Sequence, residues 1–499
     1  MKPRTRSVVM MASEGLPFAK TGGLADVVGA LPRALAALGH RITVVLPRYR
    51  GAPAGEVCDE FDVSLNGRTL RPCFHRHAVE PGVTALLVDC PELYDRDALY
   101  GVGNTDYPDN AFRFAFFARA GLEVIGRTLD RVDILHAHDW QTGLAPVYLQ
   151  ADYAAHPVLG AARAVFTIHN LAYQGLFPAD LMPALGLPWS LFGVDGLEYW
   201  GRISFLKAGI NFSRLVTTVS PGYAREIQTP EFGCGFDGIL RRRSPDLVGI
   251  LNGIDTMEWD PMHDPALPVP FGPGKLAGKR DAKRALLEAF GMTATPEALK
   301  RPLIGVVSRM VDQKGFDLLG EIAPQLPGLD ATVVLLGTGD PVYEAQWTSL
   351  AEAAPERVGV RIGFDERLAH LIEGGADVFL MPSRFEPCGL NQMYSLRYGT
   401  VPVVRRIGGL DDTVENVSSR TGKGTGFKFK GYTGAALLRA VRSALHLYGD
   451  GKRWRSVQLA GMAQDYSWGA SARRYVNVYE RALGRPSRPR RATPGETAP

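Results

Sequence analysis

Long hydrophobic runs are missing from this chain. No uninterrupted apolar stretch approaches the roughly 20 residues that a helix needs to cross a bilayer, so no membrane partner is expected. Cysteine is scarce too. Cys58, Cys73, Cys90, Cys234 and Cys388 are odd in number and lack CxxC spacing, which argues against a disulfide framework and a zinc site and for a reducing cytoplasm. The basic start, Met1 to Arg6, leads into an apolar run, Val8 to Ala12, too short for the core of a secretory signal. Nor is charge of one sign concentrated in the body. The formal net charge is +4, and much of it lies in Arg485, Arg488, Arg490 and Arg491, spaced by Ser, Pro and Thr in an end segment expected to be solvated and disordered. Without a basic, aromatic-interleaved face elsewhere, no nucleic-acid partner is expected.

What remains is an ordinary globular composition, with 45% apolar and 22% charged residues in 499, more than one hydrophobic core can absorb. Short β-branched runs recur, each followed by a Gly- or Pro-rich turn and a segment of helical period, which is the pattern of βαβ units and parallel sheets. Ser7 to Ala12, Arg41 to Leu46, Asp133 to His136 and Ala164 to His169 read as strands, and Leu24 to Leu38 as a helix. The Pro- and Gly-rich stretch Asp260 to Gly278 reads as a linker. After it, strands are expected at Pro302 to Ser308, Ala331 to Leu336 and Val378 to Met381, with helices at Asp281 to Phe290, Ala435 to Tyr448 and Tyr466 to Leu483. The fold class is therefore α/β with two doubly wound, Rossmann-like domains. Ligands of such sheets bind at the carboxyl ends of the strands.

Five polar clusters fall at those ends. Lys20-Thr21-Gly22-Gly23 sits where a loop turns into a helix, as either an anion cradle of glycine amides and a lysine or a plain turn with a solvated lysine. It is not a Walker loop. Ala137-His138-Asp139-Trp140 and His169-Asn170-Leu171-Ala172-Tyr173 mix hydrogen-bonding and aromatic groups in a way that suits a sugar better than a metal. Arg309 and Lys314 stand at another strand end, either converging on a diphosphate or forming a surface charge pair. In Arg384-Phe385-Glu386-Pro387-Cys388-Gly389-Leu390-Asn391, Glu386 is either a sugar-holding acid or a helix-capping carboxylate worth about 1 kcal/mol. Asp95-Arg96-Asp97 has the DxD form of some metal-holding transferases, but such triplets are common in surface loops.

Taken together and in order, KTGGLADV, HAHDW, TIHNLAYQG, LNGID, Arg309 to Gly315, SRFEPCGL and YGTVPVVRRIGGL resemble the bacterial-type glycogen (starch) synthase family over nearly the whole chain. The resemblance implies the GT-B arrangement, two Rossmann-like domains facing a deep cleft. It further implies retaining transfer of glucose from ADP-glucose to the non-reducing end of an α-1,4-glucan (glycogen), with no metal and no cofactor. Domains are expected at residues 1–265 (acceptor side) and 266–462 (donor side), with a returning helix over 463–484 and a tail over 485–499. By carry-over, Lys20 and the Gly22 and Gly23 amides meet donor phosphate. Arg309 and Lys314 grip the diphosphate, joined by the Gly389 and Leu390 amides, Cys388 and Asn391. His169, Asn252 and Glu386 bind the transferred glucose, and Asp139 lies near the reacting end of the acceptor. Phe364 stands where many members carry a tyrosine that stacks on the base. The alternatives are a related transferase that uses UDP-glucose or makes a small glucoside, and a silent glucan-binding relative.

Overall fold

The computed structural model describes residues 4–103, 105–418 and 420–484, so the arginine-rich end lies outside it. Contacts divide the described chain into two units, one of residues 4–219, 226–253 and 468–484, the other of 220–225 and 254–467.

The first unit is built on a nine-stranded sheet. Seven strands run parallel in the order Leu247–Gly249, Leu215–Thr218, Arg163–Ile168, Ile134–His138, Ser7–Met11, Arg41–Pro47 and Val83–Asp89. Cys73–Glu80 and Glu56–Glu60 then extend it antiparallel. The central strands are buried along their length, as a sheet covered on both faces requires, which is why they read as continuous apolar runs instead of alternating ones. One face is covered by the helix Gly23–Ala37, whose Leu24, Val27, Val28, Leu31 and Leu35 share an apolar cluster with Tyr475, Val478 and Tyr479 of the last helix, Trp468–Ala482. A separate antiparallel sheet of Leu176–Pro178, Arg202–Ser204 and Glu198–Tyr199 lies beyond the Arg163–Ile168 strand in sequence.

The second unit holds six parallel strands in the order Val358–Ile362, Thr332–Gly337, Leu303–Val307, Val378–Met381, Val401–Arg405 and Phe427–Phe429. Ile304, Val333, Leu335, Trp347, Leu380 and Val403 lie in one core cluster. The stretch expected to be a linker, Asp260 to Gly278, is instead fixed to this unit. Phe271 is buried, and the Asp264 carboxylate accepts from the Tyr398 hydroxyl at 2.5 Å and from His370 Nδ1 at 2.8 Å. Its prolines and glycines shape turns on a packed surface; they do not confer freedom.

In both sheets the first strand of the unit sits inside, and the chain winds outward to one side and then to the other. The switch falls between Ser7–Met11 and Ile134–His138 in the first unit and between Leu303–Val307 and Val378–Met381 in the second. At such points neighbouring loops part and leave room for a ligand at the strand ends.

Candidate functional site

At the second unit's switch point, the loop after Leu303–Val307 touches the loop after Val378–Met381 locally, Gly315 against Pro382. Gly315 makes this possible. It adopts a left-handed φ of 80°, and a Cβ there would lie 2.3 Å from the Pro382 carbonyl oxygen, so only glycine fits on both counts. The Lys314 ammonium is thereby brought 2.7 Å from Glu386 Oε2, although 72 residues separate them. Ser383 Oγ donates to the same oxygen at 3.0 Å. Glu386 is buried and held by these two donors. The capping alternative fails, because the helix Asn391–Arg397 begins at Leu390 without a side-chain cap.

The rest of this loop is equally constrained. Gly389 has φ 72°, Cys388 is buried, and Asn391 Nδ2 donates to the Val307 carbonyl at 3.0 Å. The Gly409 amide donates to the Glu386 carbonyl at 3.1 Å, and a Cβ on Gly409 would sit 2.1 Å from the Cys388 carbonyl oxygen. Gly409→Ala is therefore expected to displace the 386–389 backbone and lower kcat by about a hundredfold, the usual scale for an ångström of misplacement. Steady-state kinetics beside a circular dichroism spectrum check this; wild-type turnover would show that the loop tolerates the shift. Arg309 is exposed and bonds Gln313 Oε1 at 3.3 Å instead of joining the Lys314–Glu386 pair. Phe364, 90% exposed after the left-handed Gly363, presents an open aromatic face.

At the first unit's switch point, Asp139 adopts φ 56°, unusual for a residue with a side chain, and its Oδ1 accepts from the His169 amide at 2.7 Å. Burial pushes the Asp139 carboxyl up to about 7, while the amides of His169 and Asn170 work in the opposite direction. His138 Nδ1 lies 3.0 Å from His169 Nε2. Burial holds both rings neutral, pushing His169 down to about 3 and His138 well below its ordinary value. Asp139 and His169 are thus brought together as a mixed acid and imidazole rim. Asn252, in the same unit, is buried with its Oδ1 unpartnered among the described residues, an acceptor suited to a hydroxyl. His136 is a packing residue, wholly buried between the Tyr479 hydroxyl at 2.9 Å and Thr167 Oγ1 at 2.6 Å.

The Lys20 loop departs from its expected arrangement. Its anion is already supplied by the chain: the buried Glu14 carboxylate accepts from the Thr21 amide, from Thr21 Oγ1 at 2.9 Å and from the Gly22 amide at 3.2 Å. The Tyr100 hydroxyl donates to it as well, at 3.1 Å. Lys20 turns to Asp26 Oδ1, 2.7 Å away, and Gly23 opens the helix. Glu14 was not foreseen. Its only signal was an acid in the loop after the first strand, with no spacing rule to pair it with Thr21 and Gly22.

The Asp95-Arg96-Asp97 triplet is consumed by ion pairs, Arg50 bridging Asp95 at 2.5 Å and Asp97, and Arg96 pairing with Asp109 at 2.6 Å. Among the described residues one trio, Glu258, Glu366 and His370, has ligand atoms within 4.8 Å of one another, but both glutamates are ordinary exposed groups. No helix of the described residues is long and apolar enough to cross a membrane, and none of the five cysteines is in a disulfide.

Comparison with known proteins bears on both units. Residues 7–242 match the family described as starch synthase catalytic domain, and residues 291–457 match glycosyl transferases group 1. A glycogen synthase from Anaeromyxobacter dehalogenans is 52% identical over 475 residues, covering 95% of this chain and 98% of that one. A glycogen synthase from Koribacter versatilis is 48% identical, again over 95% and 98%. Among solved structures, the catalytic domain of starch synthase IV from Arabidopsis thaliana, bound to ADP and acarbose, aligns at a TM-score of 0.86 and 34% identity, covering 97% of this chain and all of that one. Sucrose-phosphate synthase from Thermosynechococcus elongatus shares the fold at a TM-score of 0.59 and 17% identity.

Proposed function

The chain belongs to the glycogen (starch) synthase family, a GT-B glucosyltransferase family, and from that premise we propose that its donor is ADP-glucose and that the two switch-point loops divide the work. The first unit takes the non-reducing end of the α-1,4-glucan at Asp139. The second takes the nucleotide sugar. Arg309 and Lys314 meet the diphosphate, together with the Gly389 and Leu390 amides, Cys388 and Asn391; Phe364 lies against the base, and the transferred glucose is held by Glu386, His169 and Asn252. Lys20 and the Gly22 and Gly23 amides add phosphate contacts, for which the Glu14 carboxylate must yield the Gly22 amide. The lack of disulfides among the five cysteines agrees with a cytoplasmic setting.

The observation that carries this reading is the Lys314–Glu386 contact. An ammonium beside a buried carboxylate at a switch point gives one cation for a departing phosphate and one acceptor for sugar hydroxyls. Transfer retains configuration. The bond from glucose C1 to phosphate oxygen breaks, a bond from the acceptor O4 to C1 forms on the same face, and the acceptor proton passes to the leaving phosphate. Asp139 and Glu386 are accordingly not a glycosidase carboxylate pair.

The test is incorporation of labelled glucose into glycogen from ADP-glucose and from UDP-glucose. Preference for ADP-glucose is expected; preference for UDP-glucose overturns the donor assignment, and transfer only to small acceptors overturns the polymer assignment.

A further inference from the structure

Trp200 is out of place by every local rule. It occupies the turn between Glu198–Tyr199 and Arg202–Ser204, adopts φ 50°, is followed by Gly201 at φ 75°, and leaves 85% of its surface in solvent. Asn or Gly is the residue such a left-handed turn position favours, and a bulky aromatic there is an outlier. Neither backbone comfort nor burial accounts for it.

The turn is nevertheless held firmly from beneath. Glu198 Oε1 accepts from the Gly201 amide at 2.8 Å, and the Arg202 guanidinium donates to the Leu176 carbonyl at 2.8 Å. Tyr199 stacks on Phe236 at 4.4 Å, its hydroxyl donates to the Cys234 carbonyl at 3.3 Å, and the Trp200 ring lies edge-on to Tyr199 with centroids 6.5 Å apart. Gln174 Nε2 donates to that same Cys234 carbonyl at 2.8 Å. The residue before it, Tyr173, is 60% exposed and lies four positions after His169. Gln174 and Tyr199 thus share one carbonyl, which ties the Trp200 turn to the segment that carries Tyr173 and follows His169.

We propose that Trp200, with Tyr173, is a glucan-binding platform outside the reacting centre, holding the part of the polymer that trails away from its growing end. The inference rests on the acceptor assignment above. The occupant follows from chemistry: the C–H faces of pyranose rings pack on flat aromatic faces, and a Trp on a rigid turn is ordered before binding, so little entropy is lost. A polymeric acceptor also extends past any site that holds only its terminal sugar.

Trp200→Asn in the full chain tests this, because Asn suits the left-handed turn and isolates the ring's contribution from the fold's. The expected result is a KM for glycogen raised about tenfold, weaker retardation in glycogen-containing native gels, kcat with a saturating short maltooligosaccharide within twofold of wild type, and a Tm unchanged or higher. Glycogen KM and gel retardation equal to wild type would overturn the proposal. So would a change in sedimentation behaviour without a change in glycogen affinity, which would assign the ring to self-association. If the wild-type chain transferred glucose to no glucan, the acceptor assignment would fall, whereas gel retardation would still decide the platform.

Discussion

Glu386→Gln is expected to lower kcat by about two to three orders of magnitude, the scale seen when one preorganised electrostatic contact is removed from a reacting centre. The amide keeps the shape of the acid and can still accept from Ser383, so the fold should hold. What is lost is the charge that fixes the Lys314 ammonium at 2.7 Å and the strong acceptor for sugar hydroxyls. A freed ammonium on a partly exposed side chain samples many rotamers, and its alignment with a departing phosphate is lost. The loss should therefore fall mainly on kcat, with donor KM changed much less. Steady-state kinetics on both substrates, with a circular dichroism spectrum as control, check it; a kcat within threefold of wild type would remove Glu386 from the site.

The second large effect is acid lability of the first unit. Burial holds His136 and His169 neutral down to about pH 3 and pushes His138 well below its ordinary value, whereas in the unfolded chain all three take up protons near the ordinary 6.5. Below pH 6.5 the unfolded state therefore binds the extra protons, and stability falls as pH falls. Asp139 acts the other way. Raised from 3.8 to about 7, it keeps a proton in the folded state that the unfolded chain releases, so its contribution grows as pH drops through 7. Near pH 5, three protons favour unfolding and one opposes it. The net of two corresponds to about 2 to 3 kcal/mol of stability lost per pH unit, taken as an upper scale. Urea unfolding midpoints measured between pH 7 and pH 5 should drop steeply, and a flat profile would mean that the imidazoles are hydrated in the folded state.

The parallel strands and both switch-point loops were legible because each central strand is buried on both faces, so that Val8 to Met11 or Val333 to Leu336 appears as an unbroken apolar run. The antiparallel edge at Glu56–Glu60 and Cys73–Glu80 was not, since half of its positions face water and its hydropathy resembles that of a loop. The small sheet around Arg202–Ser204 escaped for another reason: strands of two or three residues carry no period. Asp260 to Gly278 was misread because Pro and Gly mark turns whether or not the turns are packed, and only the long-range partners Tyr398 and His370 reveal the anchoring of Asp264. In the sites, residue types were visible but pairings were not. Nothing local links Lys314 with Glu386 or Glu14 with Gly22, and nothing in the sequence around Trp200 marks its left-handed backbone.

The Glu14 carboxylate on the Thr21 and Gly22 amides gives the glycine loop a resident tenant. Empty rows of amides collapse or recruit whatever anion is abundant. This one keeps its curvature through an internal stand-in, so stray inorganic phosphate meets a negative charge where it would otherwise settle. Only an anion that brings other binding energy with it can displace such an occupant, so under the proposed function the loop would select as well as hold.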